Sequence, residues 1–288
     1  MSHHALPLGR RTTYPSRYTP AVLYPIDRRG NREACRLDAR FGGHDTWHAH
    51  EAGFITRAGL PVVGLLKIVY PATTPCLVES KSLKLYLHSL NMTPLGDNVR
   101  EGIDQFTRIV RADLSALLHA PVAVHFFDNA PAELPFDFDD HEILEQLPEV
   151  ARATFTGYTE TPALLLDHPL PAGEIKAGSH LLRSNCKITR QPDWGSIYIR
   201  VKADRLPSPL ALARYIVSLR DENHFHEEIC EIIYQRLQDA FTPEILAVTC
   251  LYTRRGGIDI CPTRANAPEH LPRYLPDPDR LTRKTFRQ

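Results

Sequence analysis

Residues 184–204, SNCKITRQPDWGSIYIRVKAD, predict two strands around a turn. Ile197, Ile199 and Val201 recur at every second position, which is the period of a strand with one buried face. Two stretches of helical character follow, PLALARYIVSL and EEICEIIYQRLQDAF, and after them come the apolar stretches EILAVTCLYT and GIDICPT. This half of the chain therefore predicts a strand pair, a helix pair and a second strand pair.

The upstream half carries a similar order. Residues 60–79 are rich in Val, Ile and Leu and are broken by Pro, which indicates strand structure. Apolar residues at helical spacing within 83–90 predict one helix, Asp97 is the expected N-cap of a longer one, and residues 121–127, PVAVHFF, return to strand. Two copies of this pattern predict an α+β fold, with antiparallel sheets and a helix pair on one face, because a doubly wound parallel fold would alternate strands and helices singly.

Composition indicates how the chain is divided. The first forty residues are rich in Pro, Tyr and Arg without periodicity, so we expect an extended arm over residues 1–40. Residues 129–160 are acidic and contain Pro, which is typical of a linker. The predicted organisation is an arm, a first module over 41–128, the linker, and a second module over 161–288.

The bulk composition narrows the class of protein. The 288 residues are 43% hydrophobic, and 34 Lys and Arg balance 34 Asp and Glu, so no overall charge favours direct binding to nucleic acid or to a membrane. The N-terminal segment lacks the apolar core of a signal peptide and no stretch is long enough to span a bilayer, which predicts a cytoplasmic protein. Six scattered cysteines without a C-x-x-C pair disfavour a disulfide framework and a structural zinc site.

The first candidate for chemistry is Cys186, with Asp193 seven residues later. We expect Pro192 and a turn at residues 193–195 to break the strand and let the two side chains converge. A nearby acid raises the pKa of a thiol, and a desolvated carboxyl group stays protonated, so the pair suits a nucleophile with a proton donor. The alternative is a buried cysteine and an ordinary turn aspartate.

The stretch HFHEEIC resembles the zinc-protease motif H-E-x-x-H, but Cys230 replaces the second histidine and the motif fails. The apolar residues that follow place His226 and Glu227 in the first turn of an amphipathic helix, where a carboxylate is favoured. An ordinary charged helix start is the alternative reading.

Two further clusters, one of histidines and one of arginines, have residue types that could bind a ligand. His44, His48 and His50 are spaced four and two apart, which suits a helix for one pair and a strand for the other, so we expect surface histidines and no metal site. Arg254 and Arg255 precede Gly256 and Gly257 in a predicted hairpin, where they would hold a phosphate or form a basic turn. The sequence has neither a G-x-G-x-x-G after a strand nor a P-loop.

Four stretches occur together in a fixed order: ESKSLKLYL, SNC followed by QPDWG, HFHEE, and RRGGIDICP. In this order they resemble the NADPH-dependent 7-cyano-7-deazaguanine reductases, the nitrile reductases of the queuosine pathway, in their long two-module form. The resemblance implies a tandem tunnelling fold (T-fold), a substrate pocket where the modules meet, and a homodimer or higher homo-oligomer.

The resemblance also implies a chemistry. Cys186 would add to the nitrile carbon of a small 7-deazapurine while Asp193 protonates the nitrogen and His226 assists. The resulting thioimide would be reduced to the aminomethyl product by two NADPH, without a metal. The implied substrate contacts are Val78, Glu79, Ser80, Phe225, His226 and Glu227, and the implied cofactor contacts are Ser80, Lys81, Arg255 and Gly256. In this interpretation Glu79 and Ser80 form the rim of the pocket rather than a helix cap.

Three other functions remain open at the level of sequence. A cysteine-dependent nitrile or amide hydrolase would use Cys186 but let water attack the thioimide. A zinc cyclohydrolase on the same fold would use His44, His48 and a cysteine. A purine-binding module would bind the substrate without consuming a cofactor.

Overall fold

The computed structural model describes residues 14–37 and 40–288, and it has a mixed α+β architecture. The strands are β1 (Pro25–Asp27), β2 (Gly42–Ile55), β3 (Pro61–Pro71), β4 (Cys76–Val78), β5 (Ala123–Phe127), β6 (Glu142–Ile143), β7 (Leu170–Ser179), β8 (Arg183–Cys186), β9 (Pro192–Leu206), β10 (Asn223–His224), β11 (Ile245–Tyr252) and β12 (Ile258–Ala265). The helices are α1 (Arg28–Ala34), α2 (Ser80–Leu90), α3 (Val99–Leu118), α4 (Pro148–Ala151), α5 (Pro209–Ser218) and α6 (His226–Phe241).

Ten strands form one sheet in the order β10-β8-β9-β11-β12-β2-β3-β5, with β7 beside the far half of β9 and β6 beside β7. Except for β6 with β7 and β8 with β10, neighbouring strands are antiparallel. The two halves of the chain meet where β12 pairs with β2, with Ile260 opposite Trp47. This pairing continues the sheet across the two halves. Since most neighbouring strands are antiparallel, the predicted antiparallel character is confirmed.

The helices share one face of the sheet. Ile199 lies opposite Val248 in the register of β9 and β11, and both pack in a core with residues of α5 and α6. Across the seam, Trp47 and Ile260 belong to a second core with α2 and α3. Arg264 is four residues after Ile260 on β12, so the two side chains point to the same face of the sheet. Because Arg264 also lies opposite Val248 and reaches Glu231 of α6, both cores are on that face, as predicted.

The opposite face is covered by irregular chain rather than by helices. Phe138 stacks on Tyr198 with ring centroids 4.4 Å apart, and Leu251, Cys261 and Leu275 complete this smaller core. The segment expected to be a linker therefore packs against the second half, and β6 within it joins the sheet. Among the described residues, no helix is both long and apolar enough to cross a membrane.

Three sequence expectations need correction. Within the expected extended arm, residues 1–13 and 38–39 lie outside the described residues, and residues 25–34 form β1 and α1. The N-cap of α3 is Asn98 rather than Asp97: the Asn98 side chain accepts the Glu101 N–H at 3.0 Å, while Asp97 pairs with Arg57 at 2.6 Å. The repeat is also unequal, since within the described chain only β5 follows the first helix pair, whereas β11 and β12 follow the second.

Candidate active site

A cavity with about 680 Å³ of empty space, its open mouth included, lies at the seam between the two halves. Its walls come from both halves, as expected for a pocket between the modules. They comprise Ile26, Trp47, Leu77, Val78, Ser80 and Lys84 from the first half and Cys186, Asp193, His224, Phe225, His226, Glu227, Thr253, Arg255, Ile258 and Ile260 from the second.

Strand pairing brings Cys186 and Asp193 to this cavity. Asp193 lies opposite Ser184 in the hairpin of β8 and β9, and Cys186 is two residues beyond Ser184 on the same face. The predicted convergence is therefore present, but its reason is different. The turn occupies residues 187–191, and residues 193–195 are part of β9.

Asp193 is buried between two basic groups. Arg255 forms an ion pair with its carboxylate, and His226 Nε2 lies 3.6 Å from its Oδ1. Burial by itself raises the pKa of Asp193, but His226 and Arg255 together outweigh it and hold the pKa below the ordinary carboxyl value. The expectation that desolvation keeps Asp193 protonated is wrong for this state, because Arg255 approaches from a distant hairpin.

The surroundings of Glu227 shift its carboxyl pKa in the opposite direction to that of Asp193. It is 2% exposed, and its Oε1 has no hydrogen-bond partner among residues 14–37 and 40–288. Burial, reinforced by the nearby charge of Asp45, raises the pKa of Glu227 to about 8. A buried acceptor without a donor costs about 1–3 kcal/mol, so this carboxyl group is in a position to gain from a ligand that donates hydrogen bonds.

A network of buried charged side chains lies beside Glu227. Arg264 donates to Asp45 and to Glu231, each at 2.8 Å, and Arg28 pairs with the other oxygen of Asp45. All four side chains are at most 3% exposed. The two guanidinium groups overcome the desolvation of Asp45 and keep its pKa low, so Asp45 stays negative beside Glu227.

Glu79 caps a helix, a role that the expected position at the rim of the pocket had excluded. It is the N-cap of α2, where its two carboxylate oxygens accept the N–H groups of Lys81 at 2.9 Å and Ser82 at 2.6 Å. The helix-cap reading was therefore the correct one. Ser80 lines the cavity, whereas Glu79 and Lys81 are absent from its walls.

A second cavity of about 640 Å³ adjoins the first and shares Lys84 and Ile258 with it. Gly256 lies in this second cavity, next to Gly257, and both have positive φ angles, as the hairpin predicted. Sequence reasoning missed Lys84, although it stands one helical turn after Lys81 and faces Arg255. It also missed His224 and Trp47.

The histidine cluster was misjudged. His44, His48 and His50 all lie on β2, where spacings of two and four both keep side chains on one face. They are not surface residues: His48 is fully buried, and its Nδ1 contacts Asp259 at 2.7 Å, while His50 Nε2 contacts the other oxygen at 2.9 Å. Burial and the adjacent Lys284 lower the pKa of His48 to about 4.

Two known families match the chain in order. Residues 14–126 match the family described as nitrile reductase, 7-cyano-7-deazaguanine-reductase N-term, and residues 192–270 match the family described as QueF-like protein. The NADPH-dependent 7-cyano-7-deazaguanine reductase of Acinetobacter baumannii strain ACICU is 38% identical over 284 residues, which cover 96% of this chain and 97% of that protein. The chain belongs to the 7-cyano-7-deazaguanine reductase family.

Another member of this reductase family, from Chromohalobacter salexigens, is 39% identical over 278 residues, with 93% of this chain and 94% of that protein covered. Among solved structures, the apo form of the archaeosine synthase QueF-Like aligns with 33% of this chain and 93% of its own, at 17% identity and a TM-score of 0.27. The reductases are thus similar to this chain along nearly its whole length.

Proposed function

We propose that this protein reduces the nitrile of 7-cyano-7-deazaguanine to the aminomethyl group with NADPH, through a covalent thioimide, as a step of tRNA queuosine biosynthesis. The observation that carries the proposal is one cavity that contains a thiol, Cys186, a carboxylate beside it, Asp193, and an unpaired buried acceptor, Glu227. The long relatives named as such reductases support it.

Glu227 is the residue we assign to recognition of the ring. A guanine-like edge presents a ring N–H and an exocyclic amine, and a carboxylate accepts both. Because the pKa of Glu227 is raised to about 8 without a ligand, binding to the ionised form releases a proton. Val78, Ser80 and Phe225 also line the cavity and would enclose the base. The contact assigned to Glu79 stays a prediction, since its oxygens already serve the helix.

Asp193 is assigned the transfer of one proton. An ordinary thiol is mostly protonated at neutral pH, and the low pKa of Asp193 makes its carboxylate the available base. The thiol proton passes to Asp193 as sulfur bonds to the nitrile carbon, and Asp193 returns it to the nitrogen as the triple bond becomes a double bond. The adduct is therefore neutral overall, and His226 at 3.6 Å stabilises the carboxylate before and after transfer.

The second cavity fits a phosphorylated cofactor. A Cβ at Gly257 would lie 2.5 Å from Glu51, and one at Gly256 would lie 3.0 Å from Lys84, so the hairpin leaves room only for glycine. Lys84 and Arg255 provide positive charge where this cavity meets the first. NADPH bound here would supply one hydride to the thioimide carbon, loss of the Cys186 thiol would then give the imine, and a second NADPH would supply the hydride that reduces the imine to the amine. With the cofactor bound, Arg255 would leave Asp193 and pair with a phosphate group of the cofactor.

We infer that the fold is a tandem T-fold with modules over 41–128 and 161–288, and that the protein acts as a homodimer or higher oligomer on a small molecule without contacting tRNA directly. The continuous antiparallel sheet with helices on one face supports the first inference. Among the described residues no strand pairs with the outer edges of β5 and β10, which supports the second, since exposed edges are usually covered by a partner.

The test is stoichiometric. Purified protein with 7-cyano-7-deazaguanine should consume two NADPH for each aminomethyl product, and Cys186→Ala should consume none. Release of ammonia without loss of NADPH absorbance would replace the proposal with a hydrolase. Binding of the nitrile with neither outcome would indicate a purine-binding module.

A further inference from the structure

A thiol, an imidazole and a carboxylate from three separate elements meet at the edge of the active-site cavity. Cys35 follows the end of α1, His224 belongs to β10, and Glu228 is in the first turn of α6. His224 Nδ1 lies 3.7 Å from Cys35 Sγ and 3.2 Å from Glu228 Oε2. The mechanism assigned above uses none of these three side chains.

The spacing of these atoms matches a metal site. Zinc bonds of about 2.3 Å to sulfur and 2.0–2.2 Å to nitrogen or oxygen place tetrahedral ligands about 3.5 Å apart for sulfur and nitrogen and about 3.4 Å for nitrogen and oxygen. The observed separations, 3.7 and 3.2 Å, are close to these ligand–ligand distances. The ligand atoms of the three residues all lie within 4.8 Å of one another. We propose that Cys35, His224 and Glu228 bind a zinc-like divalent cation, with water as the fourth ligand.

The charges at the cluster suit a dication. Glu228 Oε1 accepts from Lys187 Nζ at 3.0 Å, whereas Oε2 lies 3.2 Å from His224 Nδ1 and also accepts the Phe225 N–H at 3.2 Å and a longer contact from Lys187 at 3.3 Å, which a cation would replace. Glu222 adds a carboxylate 3.6 Å from His224 Nε2. Burial lowers the pKa of His224, but Cys35 and Glu228 outweigh it and raise the pKa to about 9. Binding of a dication by these three side chains would require a thiolate and a neutral imidazole, so it would release protons.

The ligand set also selects among cations. Thiolate and imidazole are preferred by zinc and similar transition metals, whereas Mg²⁺ and Ca²⁺ require oxygen ligands. The other candidate set, His48, Asp259 and Cys261, is fully buried, and Lys284 already occupies it at 2.8 Å from His48 Nδ1. His224 remains 19% exposed, so an ion has a route to the first cluster.

The site is coupled to the nucleophile through the backbone. His224 is the register partner of Cys186 where β10 pairs with β8, and Lys187 N–H donates to His224 O at 3.3 Å. A cation held by Cys35 and Glu228 would join α1 and α6 to this short strand. Because these three side chains have no role in the reductase mechanism, metal binding and reductase activity can be tested independently.

The test uses metal-free full-length protein titrated with Co²⁺ and then with Zn²⁺ against a chromophoric chelator. We expect one equivalent of Co²⁺ with tetrahedral d–d bands and thiolate charge-transfer absorption, displaced by Zn²⁺. Cys35→Ser should abolish the charge-transfer absorption, and Glu228→Gln should keep it. Each should weaken zinc affinity by more than the roughly 10–100-fold typical of losing an outer-shell partner.

Cys76→Ser and Cys186→Ser are the matched controls, since both remove a thiol outside the cluster, and circular dichroism verifies folding of every variant. Charge transfer that survives in Cys35→Ser, or that disappears in Cys186→Ser instead, would overturn the assignment. Failure of the parent protein to bind either metal would do the same.

Discussion

Replacing Arg255 with Leu separates two roles that the site gives to one guanidinium group. Arg255 pairs with Asp193 in the absence of ligands and lies at the junction with the second cavity. The substitution should therefore weaken use of NADPH while leaving thioimide formation intact or faster. Arg254→Leu is the matched control, because Arg254 is exposed and does not line the cavity.

The magnitudes follow from charge and burial. Moving a proton from an ordinary thiol, with a pKa near 8.5, to an ordinary carboxylate, with a pKa near 3.9, costs about 6 kcal/mol. An adjacent arginine lowers a carboxyl pKa by about 1–3, and Arg255 is 31% exposed, so solvent screens part of its effect. Its loss should therefore raise the pKa of Asp193 and make the proton transfer easier, by about tenfold for each unit of that rise. Loss of a charge-assisted contact to a phosphate costs about 1.5–3 kcal/mol, or about 10–150-fold in the KM for NADPH.

Single-turnover mixing of enzyme with nitrile, without NADPH, measures the adduct by intact-protein mass, and steady-state NADPH oxidation gives the KM. Thioimide formation that slows more than tenfold in Arg255→Leu, with an unchanged KM for NADPH and normal behaviour of Arg254→Leu, would refute the reasoning. In that case Arg255 would act on the nitrile rather than on the cofactor.

Three further outcomes follow from the same contacts. Cys186→Ala should still bind 7-cyano-7-deazaguanine in calorimetry but show no mass increase, and an adduct in this variant would exclude Cys186 as the nucleophile. The pKa of Glu227 is raised to about 8, so the folded protein keeps a proton that the unfolded chain loses above about pH 4.3. Stability should therefore fall from pH 6 to pH 8 by about 2 kcal/mol, and urea unfolding of Glu227→Gln should lose this dependence. Arg264→Leu removes the fully buried cation that Asp45 and Glu231 share and leaves them only Arg28 and Arg32, so it should lower the free energy of unfolding by about 3–5 kcal/mol, whereas Arg29→Ala, at an exposed pair, should leave it nearly unchanged.

The α+β class and the helix pairs could be predicted from the sequence. The alternation at 197–201 and the helical spacing within 83–90 depend on neighbours along the chain, and each lies in the element predicted for it. The order of the motifs also determined the family. Local rules failed where two adjacent residues suit one role, as with Asp97 and Asn98, because only the start of α3 at Val99 decides which of them is the cap.

Only the tertiary structure decided the protonation and the pairing of the site. Arg255 comes from 62 positions away to hold Asp193 ionised, and Cys35 comes from 189 positions away to meet His224. Burial leaves one oxygen of Glu227 without a donor, while the backbone of α2 satisfies both oxygens of Glu79. The residue types are written in the sequence, but the charge that each carries depends on which distant groups share its low-dielectric surroundings, and folding alone brings those groups together.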